Sequence, residues 1–308
     1  MNFKLNIIAL ITLCLPLVGF AEDQPSTPSL AATALQLYSS LSPEQKSQAT
    51  LPYDSPERKS EVFTGGKRPG IQIKNLNKDQ QQLALQLLTD FTSPRGKDVA
   101  MAITVQKPDN PDETPGFQRY FLCYFGDPTQ SKTFAWRIAE HHLTLVHVEY
   151  ENGQTTSFGP ILLGANPPVL FDQEEDKMIA LYNAMTPDEK QKSENKGKGI
   201  SSFPPQTKAH SIKVADLNPS AKQAAKAVVE NRLSFFSDDI KKQIQASLDA
   251  QGGTDALQVY FYGEATKKCR EGGKWDFKLA TKNFLCDYEN TRGHIHLSVK
   301  SQPSKPAK

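Results

Sequence analysis

An excess of charge of either sign is what this sequence lacks. Its 308 residues hold 36 Lys and Arg against 34 Asp and Glu. That balance excludes the strongly basic surface that nucleic-acid binding demands. Histidine and cysteine are scarce, with six and four residues. No CxxC or CxxxC pair occurs, so a cysteine-built metal site has no foothold. GxSxG, HExxH, GxxxxGK-S/T and GxGxxG are all absent. Serine-hydrolase elbows, gluzincin helices, P-loops and dinucleotide sites are excluded with them. After the amino terminus, no apolar run approaches the roughly 20 residues of a membrane-spanning helix. What is present suffices for a core: 38% of residues are hydrophobic and 23% charged, outside the disordered range. The length suits one large domain or two small ones.

The amino terminus reads as an address. Lys4 precedes an apolar run from Leu5 through Phe20, broken only by Asn6, Thr12, Pro16 and Gly19. The run is short for a span and ends in Gly19-Phe20-Ala21, with small residues where signal peptidase requires them. The expectation is a signal peptide over 1–21, cleavage after Ala21, and a periplasmic or secreted chain with no membrane contact after cleavage. Export permits disulfides. Loss of Cys14 leaves Cys123, Cys269 and Cys286, an odd number, so at least one thiol lacks a partner within the chain. A Cys269–Cys286 bridge is one option, though nothing in the spacing enforces it.

The chain repeats itself once. Ala34–Lys46 (ALQLYSSLSPEQK) is matched by Ile179–Lys190 (IALYNAMTPDEK), Lys74-Asn75-Leu76-Asn77 by Ala215-Asp216-Leu217-Asn218, Tyr124-Phe125-Gly126 by Phe261-Tyr262-Gly263, and Tyr150-Glu151-Asn152 by Tyr288-Glu289-Asn290. The offset stays between 137 and 144 residues, the signature of a duplicated unit. Ser42-Pro43-Glu44-Gln45 and Thr186-Pro187-Asp188-Glu189 each place a hydroxyl at the cap and Gln or Glu at the third helical position, a capping box. Apolar spacing predicts helices over Leu30–Leu41 and Gln173–Met185, and Asn77 and Asn218 each cap a further helix. The acidic run Asp172–Asp176 suits a helix amino end.

Aromatic and β-branched runs then replace the helical period. Phe117–Tyr124, Thr133–Ile138 and His142–Tyr150 in one half, and Leu257–Tyr262, Trp275–Leu279 and Phe284–Tyr288 in the other, predict an antiparallel meander in each. The fold class expected is α+β, with two diverged internal repeats over 22–168 and 169–300, each a helical part followed by a meander. Pro187–Gly199 and the tail 301–308 read as solvated. Trp136 and Trp275 read as packing residues.

Five of the six histidines fall in two windows: His141, His142 and His147, then His294 and His296. On a strand, His294-Ile295-His296 puts both imidazoles on one face, about 6.6–6.8 Å apart at Cα, close enough to share an ion. His141 and His142 are adjacent, so only one would point at that ion unless a turn bends them. Glu140, Asp287 and Glu289 are the nearby carboxylates, and Glu140 and Glu289 are the candidates to handle a proton at a metal-bound water. Zinc or copper suits such ligands. The competing reading makes His294 and His296 surface residues on a polar strand face. His147 reads as solvent-facing, and His210 has no partner. A Cys-His nucleophile on Cys123 rests on residue types alone.

The runs Trp136–Leu143, Leu162–Pro167 and Leu285–His296, with the helix start Leu41–Gln45, resemble a bacterial family catalogued as domain of unknown function 3500. The resemblance covers most of the chain beyond residue 21. It implies that His141, His142, His294 and His296 belong to one fold, and it implies no activity. The functional expectation is an exported protein with a histidine-rich divalent-metal site, a candidate metal-dependent enzyme acting on an unspecified small molecule or polymer. The alternative is a non-catalytic binding or structural protein without a metal.

Overall fold

A computed structural model describes residues 29–109, 112–151, 157–199, 209–291 and 293–302. The expected signal peptide and residues 303–308 of the expected tail lie outside the described residues. Among the described residues are eight α-helices and a twelve-stranded mixed sheet. The first half runs α1 (Leu30–Ser40), α2 (Pro43–Ala49), β1 (Thr50–Leu51), β2 (Ile71–Gln72), α3 (Lys78–Phe91), α4 (Pro94–Thr104), β3 (Phe121–Phe125), β4 (Phe134–Glu140), β5 (Leu143–Glu149) and β6 (Ile161–Ala165). The second runs α5 (Asp172–Ala184), α6 (Pro187–Ser193), β7 (Glu194–Asn195), β8 (Ile212–Lys213), α7 (Pro219–Leu233), α8 (Asp238–Asp249), β9 (Gln258–Tyr262), β10 (Asp276–Ala280), β11 (Phe284–Thr291) and β12 (His294–Ser301).

Local chemistry starts the helices. Ser42 Oγ accepts the Gln45 N–H while Gln45 Oε1 accepts the Ser42 N–H, and Thr186 and Glu189 repeat the exchange at α6. The box glutamine also bonds Gln80 near the start of α3 at 3.1 Å, and Glu189 bonds the cap residue of α7, Asn218, at 2.7 Å. Each short helix is thereby tied to the long one that follows it.

The strands lie in the order β1-β3-β4-β5-β6-β12-β11-β10-β9-β7, with β2 on β3 and β8 on β9. Only β1–β3 and β7–β9 are parallel pairs. β6 and β12 meet at the centre with Ile161 opposite Val299. The helices cover one face, where Trp136, Ile138, Leu145, Phe277, Tyr288 and Leu297 join Leu37, Leu87, Phe91 and Leu181 in one core.

The other face is covered as well. Cys123, Phe125, Ala135, Val146 and Val148 pack there with Leu51 and Tyr53, and Tyr260, Tyr262, Ala280 and Leu285 form a second patch. A strap over residues 52–68 crosses the first half. Glu57 and Glu61 pair with Arg137 and Lys300 at 3.2 and 2.6 Å, and the Val62 N–H donates to Thr144 Oγ1 at 2.9 Å.

Several expectations give way. Pro187–Ser193 is the helix α6, with Glu189 and Ser193 buried, because the capping box outweighs its polar composition. Ser301 ends β12 rather than starting a tail; its hydroxyl accepts from Phe158 N–H and meets Ser247 Oγ. Phe117–Arg119 is a 3-10 turn, and the strand begins at Phe121. Cys123, Cys269 and Cys286 are all free thiols, so no Cys269–Cys286 bridge forms. His147 does not face solvent. It lies opposite Trp136 on β4, its ring 5.7 Å from the indole and 6.2 Å from Phe91, and Nε2 meets Glu149 at 2.7 Å.

Candidate metal centre

Alternation on β12 sends Ile295 and Leu297 into the core beneath the helices, so His294 and His296 turn toward the strap face. Phe63 of the strap meets the His296 ring edge-on at 4.9 Å. His296 pairs across the sheet with Gly164 of β6, whose N–H donates to the His142 carbonyl at 2.6 Å. His141 and His142 form the two-residue turn between β4 and β5. His142 takes a left-handed φ of 63°, uncommon outside glycine. Its ring lies over Gly164, where a Cβ would stand 2.8 Å from the imidazole.

These placements bring ligand nitrogens of His142, His294 and His296 within 4.8 Å of one another. The ring centroids are 4.8–5.3 Å apart. Two rings are fixed from behind: Gln106 Oε1 lies 3.2 Å from His142 Nδ1, and Glu289 Oε2 lies 3.4 Å from His296 Nδ1. A partner on Nδ1 leaves Nε2 as the ligand atom, the arrangement that orients metal-bound imidazoles. His296 Nε2 is buried without a hydrogen-bond partner.

Electrostatics keep the His142 and His294 lone pairs available. Burial, then the neighbouring imidazoles, depress the His142 pKa to about 2. Burial also lowers His294. Neutral imidazole is the form that binds a cation. The hydrogen bond from His296 holds Glu289 below the usual carboxylate range.

Two residues singled out from sequence sit beside the group. The His141 ring lies tilted against His142 with centroids 3.9 Å apart, and its Nδ1 is 3.6 Å from Asp109. Glu140 accepts the Gly66 N–H of the strap at 3.0 Å and pairs with Arg119 at 3.3 Å, while burial raises its pKa. Asp287 is paired with Lys278 at 3.1 Å. Cys123 is buried and its thiol is pushed up to about 12, so it supplies no thiolate at neutral pH. Gln106 and Gly164 escaped the sequence reading. The one signal was a glycine inside an apolar strand, which marks close approach of another group.

A family model described as "Protein of unknown function (DUF3500)" matches residues 23–304. The chain belongs to the DUF3500 family. No curated protein and no solved structure matches it. The DUF3500 match takes in the His141–His142 turn, Gln106, Gly164, Glu289 and the His294–His296 strand, so the whole imidazole group lies within the family's region. Among the described residues no helix is long and apolar enough to cross a membrane.

Proposed function

We propose that this is an exported metal-dependent enzyme that holds one divalent ion on His142, His294 and His296. Zinc is the default ion, and copper also suits three imidazoles. The observation that carries the reading is the convergence of three ligand nitrogens within 4.8 Å, two of them on rings with a second partner behind. Three protein ligands would leave a further position for water or substrate, which is the catalytic rather than the structural pattern. An ion held by these three residues would supply a Lewis acid for a bound water or substrate. The protein's residues do the rest. Gln106 and Glu289 fix the ring orientations, and Phe63 limits solvent on one side. Glu140 fastens the strap. The export part rests on Lys4, the apolar run and Gly19-Phe20-Ala21.

We also infer an ancient duplication of the unit. Trp136 faces His147 as Phe277 faces Tyr288. Ser93 N–H donates to the Phe235 carbonyl and Ser237 N–H to the Phe91 carbonyl, at 3.0 and 3.1 Å, a reciprocal contact between the α3–α4 and α7–α8 junctions. The metal site would then have arisen on one of two matching turns.

The test is elemental analysis of the mature protein, purified without a histidine tag, beside a His294→Ala/His296→Ala variant. About one equivalent of zinc or copper, lost in the variant, is expected from a three-imidazole site. Absence of metal from both after loading and dialysis overturns the reading and leaves a binding or structural role.

A further inference from the structure

A row of residues crosses the strap face of the sheet at the level of the imidazoles. Tyr262 pairs with Asp276, Glu289 with His296, and His296 with Gly164, beneath the His142 ring. The Phe277–Tyr288 pair sets the register between β10 and β11 and, continued by one residue, places Asp276 opposite Glu289. Asp276 and His296 are therefore two strands apart, about 9–10 Å.

A cavity of about 350 Å³ opens at the Asp276 end of this row. Tyr262, Cys269, Trp275 and Asn290 are among the residues that line it. Trp275 is stacked on Tyr288 at 4.4 Å and bonded to the Lys267 carbonyl, so it forms a rigid wall. The Asp276 carboxylate at the base is occupied by backbone, since it accepts the Asn290 N–H at 2.9 Å and the Gly199 N–H at 2.8 Å. The cationic residues of the lining are Lys198 and Lys274, both exposed. A ring-walled cavity whose carboxylate is engaged and whose exposed charges are positive selects a flat apolar body with an anionic group. Lys198 also belongs to the metal side, because its charge acts on both Glu289 and His294.

We infer that this cavity is the ligand chamber of the three-histidine centre and that it takes small aromatic or apolar carboxylates, seated against Tyr262 and Trp275 with the carboxylate at Lys198. Only one strand, carrying Glu289, separates the chamber from the imidazoles. The inference rests on the proposed metal site for the destination of the ligand. It rests on the cavity alone for the chemistry of recognition.

Benzoate is the probe, and benzyl alcohol its uncharged counterpart, with mature protein loaded with either Zn²⁺ or Cu²⁺. Benzoate proton relaxation is expected to be much faster with the Cu²⁺ protein than with the Zn²⁺ protein, since the ring would sit about 10–15 Å from the ion. Lys198→Glu changes an exposed residue and is expected to weaken benzoate about tenfold, in the metal-free protein as in the loaded one. Failure of benzoate to bind, equal binding of benzyl alcohol, unchanged affinity in Lys198→Glu, or no copper-dependent relaxation each overturns the inference. Metal content, measured on the same samples, reports separately on the metal site. If no ion binds, the Lys198→Glu comparison on metal-free protein still decides whether the cavity recognises carboxylates.

Discussion

Strand β11 carries two neighbouring residues into opposite environments. Glu289 faces the strap side, where the His296 ring meets its carboxylate and holds its pKa low. Tyr288 faces the helices, where its hydroxyl donates to Glu175 Oε1 at 2.7 Å. Cys269 N–H donates to the same oxygen at 2.6 Å, and burial raises the Glu175 pKa. One side of the strand is arranged for a charged carboxylate next to imidazoles, the other for a carboxyl group that resists ionising in a dry core. The contrast shows that burial alone does not mark a functional carboxylate; what it touches does.

The largest break in this contrast comes from Gly164, which lies only on the strap side. Gly164→Ala forces the His142 ring away, and metal affinity is expected to fall about a hundredfold, as for loss of a group that positions a ligand. The substitution also costs about 1–3 kcal/mol of stability through overpacking. In a His142→Gly background that cost should nearly vanish, because both the ring and the His142 Cβ, which would stand 2.9 Å from the added methyl, are gone. A full cost in both backgrounds, read from urea midpoints, would show that Gly164 serves the strand rather than the ring.

Next in size is the comparison of the two carboxylates. Glu289→Gln is expected to weaken metal binding by about ten- to a hundredfold. Glu175→Gln is expected to leave it unchanged, since the amide oxygen can still accept from Tyr288 and Cys269. Competition against a chromophoric chelator measures both. Equal losses would mean that the two faces are coupled.

The smallest effects are opposite pH slopes in the metal-free protein. Glu175 has a folded pKa above its ordinary 4.5, so its contribution to stability is full below that value and is lost as pH rises through the folded pKa. Glu175→Gln should therefore gain on wild type as pH rises. Glu289 has a folded pKa below 4.5, so its contribution is present above that value and lost as pH falls through the folded pKa. Glu289→Gln should fall behind wild type above that range and match it in acid. Urea midpoints across pH check both signs, and slopes of the same sign would contradict the contrast.

Much of the helical layer was legible because its signals are local. The boxes at Ser42–Gln45 and Thr186–Glu189 need only four consecutive residues, and both form as read. His294-x-His296 was legible for the same reason, since strand alternation fixes one face. The environment of His147 was not. Its neighbours Val146 and Val148 suggested an apolar face opposite a wet one, whereas the helices cover the His147 side and the strap segment covers the other. A strand buried on both faces gives no polar alternation to read.

The sequence by itself determined the capped helices, the hairpin strands and the presence of histidines in two windows, because each depends on residues near one another in the chain. Tertiary structure decided that His142 rather than His141 meets His294 and His296, since that choice needs a left-handed turn laid over a glycine on another strand. It also decided that Gln106 and Glu289 stand behind the rings and that Asp276, Glu289 and His296 lie in one row. Those contacts depend on the register between strands distant in sequence, which no local pattern encodes.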